Sequence, residues 1–333
     1  MNESQTEFLL GRRAILAAGA AVAAVLSWPR GVAANDFQSW LADFRREAKG
    51  LGISDRTLDA AFVGVEPIPR IIELDRKQPE FALSFDDYIG RVVSQARIER
   101  GRQLLSENKA LLDKVTGQYP VQPRFVVALW GIESDFGRLM GTYSVVAALA
   151  TLAFDGRRSA YFRRELLDAL RIIEDGHVAA SAMKGSWAGA MGQSQFMPSS
   201  FVRFAVDFDG DGRRDIWGSR ADVFASAANY LSRSGWQLDQ TWGREVHLPN
   251  GFDGGLVGHA VRKPLGEWHR LGVRRADGGM LPARDMAASV LRPAGANGPA
   301  FLVYENFRVI LKWNRSDFFG LAVGRLADSI DAA

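Results

Sequence analysis

The stretch from Pro123 to Gly137 constrains this chain more than any other. Phe125-Val126-Val127-Ala128-Leu129 has no polar position, so a helix built from it must be buried on every side. Pro123 suits the first turn, because its missing N–H would have had no partner there. Gly137 is the predicted stop. A carboxylate, Glu133, sits inside this frame beside Trp130, Ile132 and Phe136. Apolar surroundings and the negative end of the helix dipole both raise the pKa of such a group. Glu133 is therefore a candidate for an acid still protonated near neutral pH, which a general acid must be. The alternative is an ordinary solvated Glu at a helix end.

The chain has 333 residues, 47% of them hydrophobic, ample for a large core or two to three packed subdomains. A net charge of +3 suits an anionic polymer or surface. The arginines are scattered, without the basic and aromatic stripe of a nucleic-acid groove, so no nucleic-acid partner is expected. There is no cysteine. That excludes disulfides, thiolate catalysis, Cys-ligated metals and a lipid-modified N-terminal Cys. The four histidines, His177, His247, His259 and His269, show no metal-ligand spacing.

Residues 1–34 read as an address label. Arg12-Arg13 precede a run from Ala14 to Leu26 that is too short to span a bilayer but right for a signal-peptide core. Val32-Ala33-Ala34 is a small-residue cleavage site, which places the mature start at Asn35 and the product in the bacterial periplasm. The Arg pair, with Ile15-Leu16 behind it, resembles a twin-arginine export signal, with an ordinary Sec signal as the near alternative. An uncleaved N-terminal anchor is the alternative.

Residues 37 to 116 read as helical. Trp40, Leu41 and Phe44 share a face, and Ser54 is an N-cap for the segment through Leu58, Ala61 and Phe62. Glu66-Pro67-Ile68-Pro69 is an extended connector. Ser84-Phe85-Asp86-Asp87 is a capped start that brings in Tyr88, and one long polar helix follows, with Ile98, Leu104, Leu105, Leu111 and Leu112 on its apolar side. Ser144 to Leu152 is an apolar helix. Arg157 to Ile173 is amphipathic, with Tyr161 inward. Gly185 to Phe201 is rich in small residues, which let backbone approach a ligand or another backbone closely. Ala221 to Leu231 is helical and carries Tyr230. Trp242 to Arg292 is broken by Gly and Pro into short β-like segments. Phe301 to Trp313 leads into a last amphipathic helix capped by Ser316.

Asp207, Asp209, Asp211 and Asp215 occupy positions 1, 3, 5 and 9 of a calcium-type loop, with Gly212 at position 6 where such a loop turns. Position 12 is Gly218 rather than Glu, and Asp222 at position 16 is the candidate closing ligand. The expected ligand set is Asp207, Asp209, Asp211, Arg213 (at the position that offers a carbonyl) and Asp222. A solvated acidic turn is the alternative, with Asp222 capping the next helix alongside Ser219.

Several segments, in this order and spacing, resemble one family. They are Glu133-Ser134-Asp135-Phe136-Gly137, Gly185-Ser186-Trp187-Ala188-Gly189-Ala190-Met191-Gly192, Gln195-Phe196-Met197-Pro198-Ser199-Ser200, the Asp207 loop, and Ala228-Asn229-Tyr230. Together they look like the MltB-type lytic murein transglycosylases, over about residues 37–330. The resemblance implies a mostly α (α+β) fold after the signal peptide. A helical flanking part would cover about 37–120. A lysozyme-like core of about 121–240 would hold the EF-hand-like loop 207–222, and a small β-containing part with C-terminal helices would cover about 241–330.

The resemblance also implies cleavage of the β-1,4 bond between N-acetylmuramic acid and N-acetylglucosamine in peptidoglycan, leaving a 1,6-anhydromuramic end. Glu133 matches the catalytic acid/base. Ser186, Gln195, Phe196 and Tyr230 match residues lining the sugar site, as do Tyr88 and Tyr161. Asn306-Phe307 matches a further segment of it, where the family often places a tyrosine and this chain has Arg308. Implied with these are a structural Ca2+, no catalytic cofactor, a monomer, and glycan strands and other cell-wall enzymes as partners. Two rivals remain: a hydrolytic muramidase and a non-catalytic peptidoglycan-binding protein.

Overall fold

The computed structural model describes residues 30–77 and 83–331. Arg12-Arg13 and the apolar run from Ala14 to Leu26 lie outside the described residues; Val32-Ala33-Ala34 falls in the first turns of helix α1. The described chain divides into two compact units, each built from two separate stretches of sequence: 30–77 with 133–226, and 83–132 with 227–331.

In chain order the elements are α1 (Arg30–Gly50), α2 (Asp55–Phe62), α3 (Pro69–Lys77), α4 (Phe85–Val92), α5 (Gln95–Glu107), α6 (Lys109–Gln118), α7 (Pro123–Ser134), β1 (Tyr143–Ser144), α8 (Val145–Phe154), α9 (Ser159–Glu174), β2 (Lys184–Gly185), α10 (Pro198–Phe204), α11 (Arg220–Arg233), β3 (Gly243–His247), β4 (Lys263–Pro264), α12 (Leu265–Arg270), β5 (Arg274–Arg275), β6 (Ala287–Leu291), β7 (Ala300–Val303), α13 (Glu305–Trp313) and α14 (Asp317–Asp331).

The unit of residues 30–77 and 133–226 is built around α8, which is buried at every position from Val145 to Ala153. A helix apolar all round has to be central. It packs on α9, whose buried face (Phe162, Leu166, Ala169, Leu170) also receives α2 and α10. Ser144 caps α8 by accepting from the Ala147 N–H, and Ser54 caps α2 by accepting from Thr57. Asp75 is 1% exposed and takes the guanidinium groups of Arg157 and Arg158.

The unit of residues 83–132 and 227–331 holds an antiparallel five-stranded sheet in the order β4-β6-β7-β3-β5. One face packs on Leu265 and Trp268 of α12. Helix α14 lies against α4, α5 and α13, and Arg102 of α5 donates to its Ser329 carbonyl.

Two expectations from sequence are corrected and one stretch is resolved. The long polar helix is two, α5 and α6, because the buried Asn108 turns its amide back onto the Leu104 carbonyl (2.7 Å) and closes the first. Within the stretch Phe301 to Trp313, which the sequence leaves untyped, the first residues belong to strand β7 (Ala300–Val303) at the middle of the sheet, and α13 starts at Glu305. Helix α7 ends at Ser134, three residues before Gly137. Asp135, Phe136 and Gly137 are all left-handed, with φ of 51°, 59° and 83°.

Candidate active site

Glu133 lies in the last turn of α7 and is 3% exposed. The left-handed turn after it is costly for Asp135 and Phe136, since their side chains crowd the backbone there. Its partners hold it in place. Ser134 Oγ donates to the Gln193 carbonyl (2.7 Å) and accepts from the Gly137 N–H (3.1 Å), while the Leu139 N–H returns to the Ser134 carbonyl (2.8 Å). Asp135 is consequently off the helix, and its carboxylate pairs with Arg138.

The small-residue stretch forms the platform that Ser134 grips. Strand β2 pairs with β1, and bridges join Gly185 to Met191 and Met191 to Phe196, folding the segment back on itself. Gln193 donates from its backbone to the Ile216 carbonyl (2.8 Å) and from Nε2 to the Trp217 carbonyl (2.7 Å). Gly192 has φ of 61°, and a Cβ there would fall 2.6 Å from the Ile216 carbonyl oxygen. Close backbone approach is thus what the glycine provides.

Ser186 and Gln195 are brought onto this platform. Ser186 is 6% exposed, and its Oγ accepts from the Ala190 N–H (3.0 Å), which leaves its proton to donate. Gln195 is fully buried with φ of 47°. Its Nε2 donates to the Met140 and Gly192 carbonyls (2.9 and 2.8 Å), while its Oε1 accepts no hydrogen bond among the described residues. Phe196, matched to a sugar-lining position, is 0% exposed. Tyr161 of α9 is half-buried beside Phe162.

The other unit holds the remaining matched residues. Tyr230 of α11 is buried, and its hydroxyl donates to the Lys312 carbonyl of α13 (2.6 Å). Tyr88 of α4 is half-buried against Phe318. Asn306 and Phe307 are both 0% exposed. The Asn306 amide is spent on the loop 237–240, donating to the Gln237 and Gln240 carbonyls and accepting from the Gln237 N–H. Both side chains are thus packed within their unit.

The acidic loop gathers Asp207, Asp209 and Asp211, whose carboxylate oxygens lie within 4.8 Å of one another. Three hard oxygen donors this close suit Ca2+, with the Arg213 carbonyl at the position that would add a fourth. Asp222 is placed otherwise. It is fully buried and accepts from the Phe208 and Asp215 N–H groups (both 2.7 Å), so it braces the loop from inside. Burial pushes its carboxyl up, against the pull of those two N–H groups. Asp215 also turns inward, accepting from the Trp217 and Gly218 N–H groups. Sequence reading missed two supports. His177 Nδ1 accepts from the Arg214 N–H (3.2 Å), and Glu165 of α9, 3% exposed, accepts from the Ser199 N–H and hydroxyl at the start of α10. Neither partner is near in sequence, so no local signal could have announced them.

The transglycosylase SLT domain matches residues 36–328. The chain belongs to that family. It is 31% identical over 259 residues to membrane-bound lytic murein transglycosylase B of Escherichia coli K12, spanning 74% of this chain and 67% of the relative. SltB3 of Pseudomonas aeruginosa, solved with NAG-anhNAM-pentapeptide and with NAG-NAM-pentapeptide, superposes with a TM-score of 0.87 at 49% identity, over 89% of this chain and 80% of that one. Escherichia coli Slt35, solved with calcium, superposes with a TM-score of 0.73 at 26% identity, over 89% and 92%. The mostly helical fold with its small sheet is the lysozyme-like fold of these enzymes.

Proposed function

We infer that the protein is a lytic murein transglycosylase that cleaves the β-1,4 bond between N-acetylmuramic acid and N-acetylglucosamine and leaves a 1,6-anhydromuramic end. The observation that carries this reading is Glu133, buried at the end of α7 in a chain that belongs to the family from residue 36 to 328.

One carboxyl is enough for the chemistry. Glu133 gives its proton to the glycosidic oxygen as the C1–O bond breaks, and positive charge builds up on the muramic ring as an oxocarbenium ion. The resulting carboxylate then takes the proton of the same sugar's C6 hydroxyl, whose oxygen closes on C1. The nucleophile is already part of the substrate, so proximity replaces the positioning of a water. Ser186 remains a donor for an acetamide carbonyl, and the Oε1 of Gln195 is an acceptor for an acetamide N–H. Tyr161, Tyr88 and Tyr230 are the aromatic candidates for sugar contact.

A hydrolytic muramidase would need a second carboxylate flanking the bond. The nearest in sequence, Asp135, is engaged by Arg138, which argues against that reading. Digestion of purified peptidoglycan followed by mass spectrometry tests it. Anhydro ends, lighter by one water than reducing ends, are expected. Reducing ends would establish the muramidase, and binding without soluble product the non-catalytic reading. Glu133→Gln should abolish release while leaving the melting curve in place, and activity kept within about tenfold would sink the assignment, since general acid catalysis is worth 10²–10⁴.

The exported, periplasmic location follows from the leader-like residues 1–34. Peptidoglycan strands are the partner, and Ca2+ held by Asp207, Asp209 and Asp211 has a structural role.

A further inference from the structure

The left-handed turn that closes α7 is disfavoured by its own residues, so a partner outside it has to hold it. Asp135 and Phe136 follow one another at positive φ, where a side chain crowds the backbone. Both would gain by returning to the right-handed region, which would carry α7 on past Ser134. The turn is therefore biased towards opening, and Glu133 stands two residues before its first strained position.

Gln193 opposes that opening. Its carbonyl takes the Ser134 hydroxyl (2.7 Å), whose oxygen in turn takes the Gly137 N–H (3.1 Å). A Cβ on Gly137 would fall on the Gln193 amide oxygen and carbon, so the amide packs directly against the Gly137 Cα. Gln193 thus meets the turn at both ends, at Ser134 through its backbone and at Gly137 through its side chain. It is itself anchored, because its N–H donates to the Ile216 carbonyl (2.8 Å) and its Nε2 to the Trp217 carbonyl (2.7 Å). That segment is fixed too. The Asp215 carboxylate accepts from the Trp217 N–H (2.9 Å), and the Trp217 indole donates to the Lys184 carbonyl of β2 (2.9 Å). All these residues belong to the unit of residues 30–77 and 133–226.

We propose that Gln193 is a positioning residue for Glu133: its side-chain amide, braced on the Trp217 carbonyl, keeps the turn after Ser134 closed and so fixes the direction of the Glu133 carboxyl. The proposal rests on the transglycosylase reading, in which Glu133 moves the proton. A displacement of about 1 Å at a reacting group costs on the order of 10²-fold in rate. Gln193 acts through Glu133 rather than on the strand, so the effect belongs in kcat and not in KM.

The test uses Gln193→Met, which keeps the length of the side chain and removes the Nε2 donor. It should lower kcat for the release of anhydro ends about tenfold or more and leave KM within about twofold. Ser54→Ala, which removes the cap of α2 in the same unit, is the stability control and should lower the melting temperature without lowering kcat. Amide hydrogen exchange reads the turn directly. The Gly137 and Leu139 N–H groups, both held by Ser134, should exchange about tenfold faster in Gln193→Met, with the amides of α8 unchanged. Ser134→Ala cuts the clamp from the other side; it should reproduce the loss in kcat and add little to it in the double variant. Unchanged exchange at Gly137 and Leu139 would overturn the proposal. So would a loss that falls on KM with kcat preserved, a loss of kcat matched by Ser54→Ala, or fully additive losses in the double variant. Failure of the transglycosylase reading looks different, because the wild type would then release no anhydro ends while exchange at the two amides still responded to Gln193→Met.

Discussion

Gly192 concentrates the demands made on single residues here. Its left-handed φ and the Ile216 carbonyl 2.6 Å from any added Cβ act together, so Gly192→Ala has no relaxed solution. The expected cost is about 2–4 kcal/mol, read as a drop in melting temperature of about 2–4 °C per kcal/mol. Activity should fall further than stability, because Gln193, which receives the Ser134 hydroxyl, is the next residue. Gln195 poses the opposite problem. Its conformation is strained for a residue with a side chain, and its Oε1 is buried with no donor among the described residues. A buried acceptor left open costs free energy in the absence of ligand, and cost that persists at a site usually marks function. Phe196, Asn306 and Phe307 carry a different lesson. A motif match places a residue in the right neighbourhood without saying which way it faces, and all three turn inward.

At the level of elements, much was legible because it is local. Ser54, Ser84, Ser144 and Ser316 each accept from the first turn of the helix they were expected to start. What could not be read depends on distant partners or ambiguous pattern. Ala300–Val303 is a continuous apolar run, and such a run looks the same as buried strand or buried helix. The left-handed turn after Ser134 was hidden because Phe136 does not favour it and a single Asp is too common to signal it. Glu165 appeared as one more charge on an amphipathic helix, yet it caps α10 from 34 residues away. Glu165→Ala should therefore cost about 1–3 kcal/mol, as for any buried donor pair left without an acceptor, measured by urea unfolding. Glu174 makes a weaker link of the same kind. The Thr57 hydroxyl, then the Ser54 hydroxyl and N–H, hold its carboxyl below the ordinary 4.5. A lowered carboxyl stabilises the fold above its ordinary value, and that contribution disappears as pH falls through the folded value. Melting temperature followed from neutral to acid pH should fall less steeply in Glu174→Gln than in the wild type; identical slopes would rule the linkage out.

For the whole molecule, the absence of cysteine means that packing, buried polar contacts and any bound ion must supply all the stability. The Asp75 pair with Arg157 and Arg158 belongs to this set, and Asp75→Ala, which strands two cations, should cost about 3–5 kcal/mol. The Ca2+ proposed for the acidic loop would be another contributor. Calcium that binds only the folded chain raises stability in proportion to the logarithm of its concentration. Melting temperature should rise with added Ca2+, return on chelation, and lose this response in Asp209→Asn. A melting temperature indifferent to chelator would remove calcium from the account.

Each compact unit takes its two stretches of sequence from opposite sides of the other's chain, and this sets a schedule for synthesis. A chain emerging from the ribosome cannot complete the unit of residues 30–77 until residue 226 has appeared. The unit begun at residue 83 has to wait for α14 at the far end, because α4, α5 and α13 all pack on that helix. Until α14 is made, the nascent protein lacks the partner that closes this unit. Truncation before Asp317 should accordingly give an unfolded, protease-sensitive product rather than a shortened enzyme.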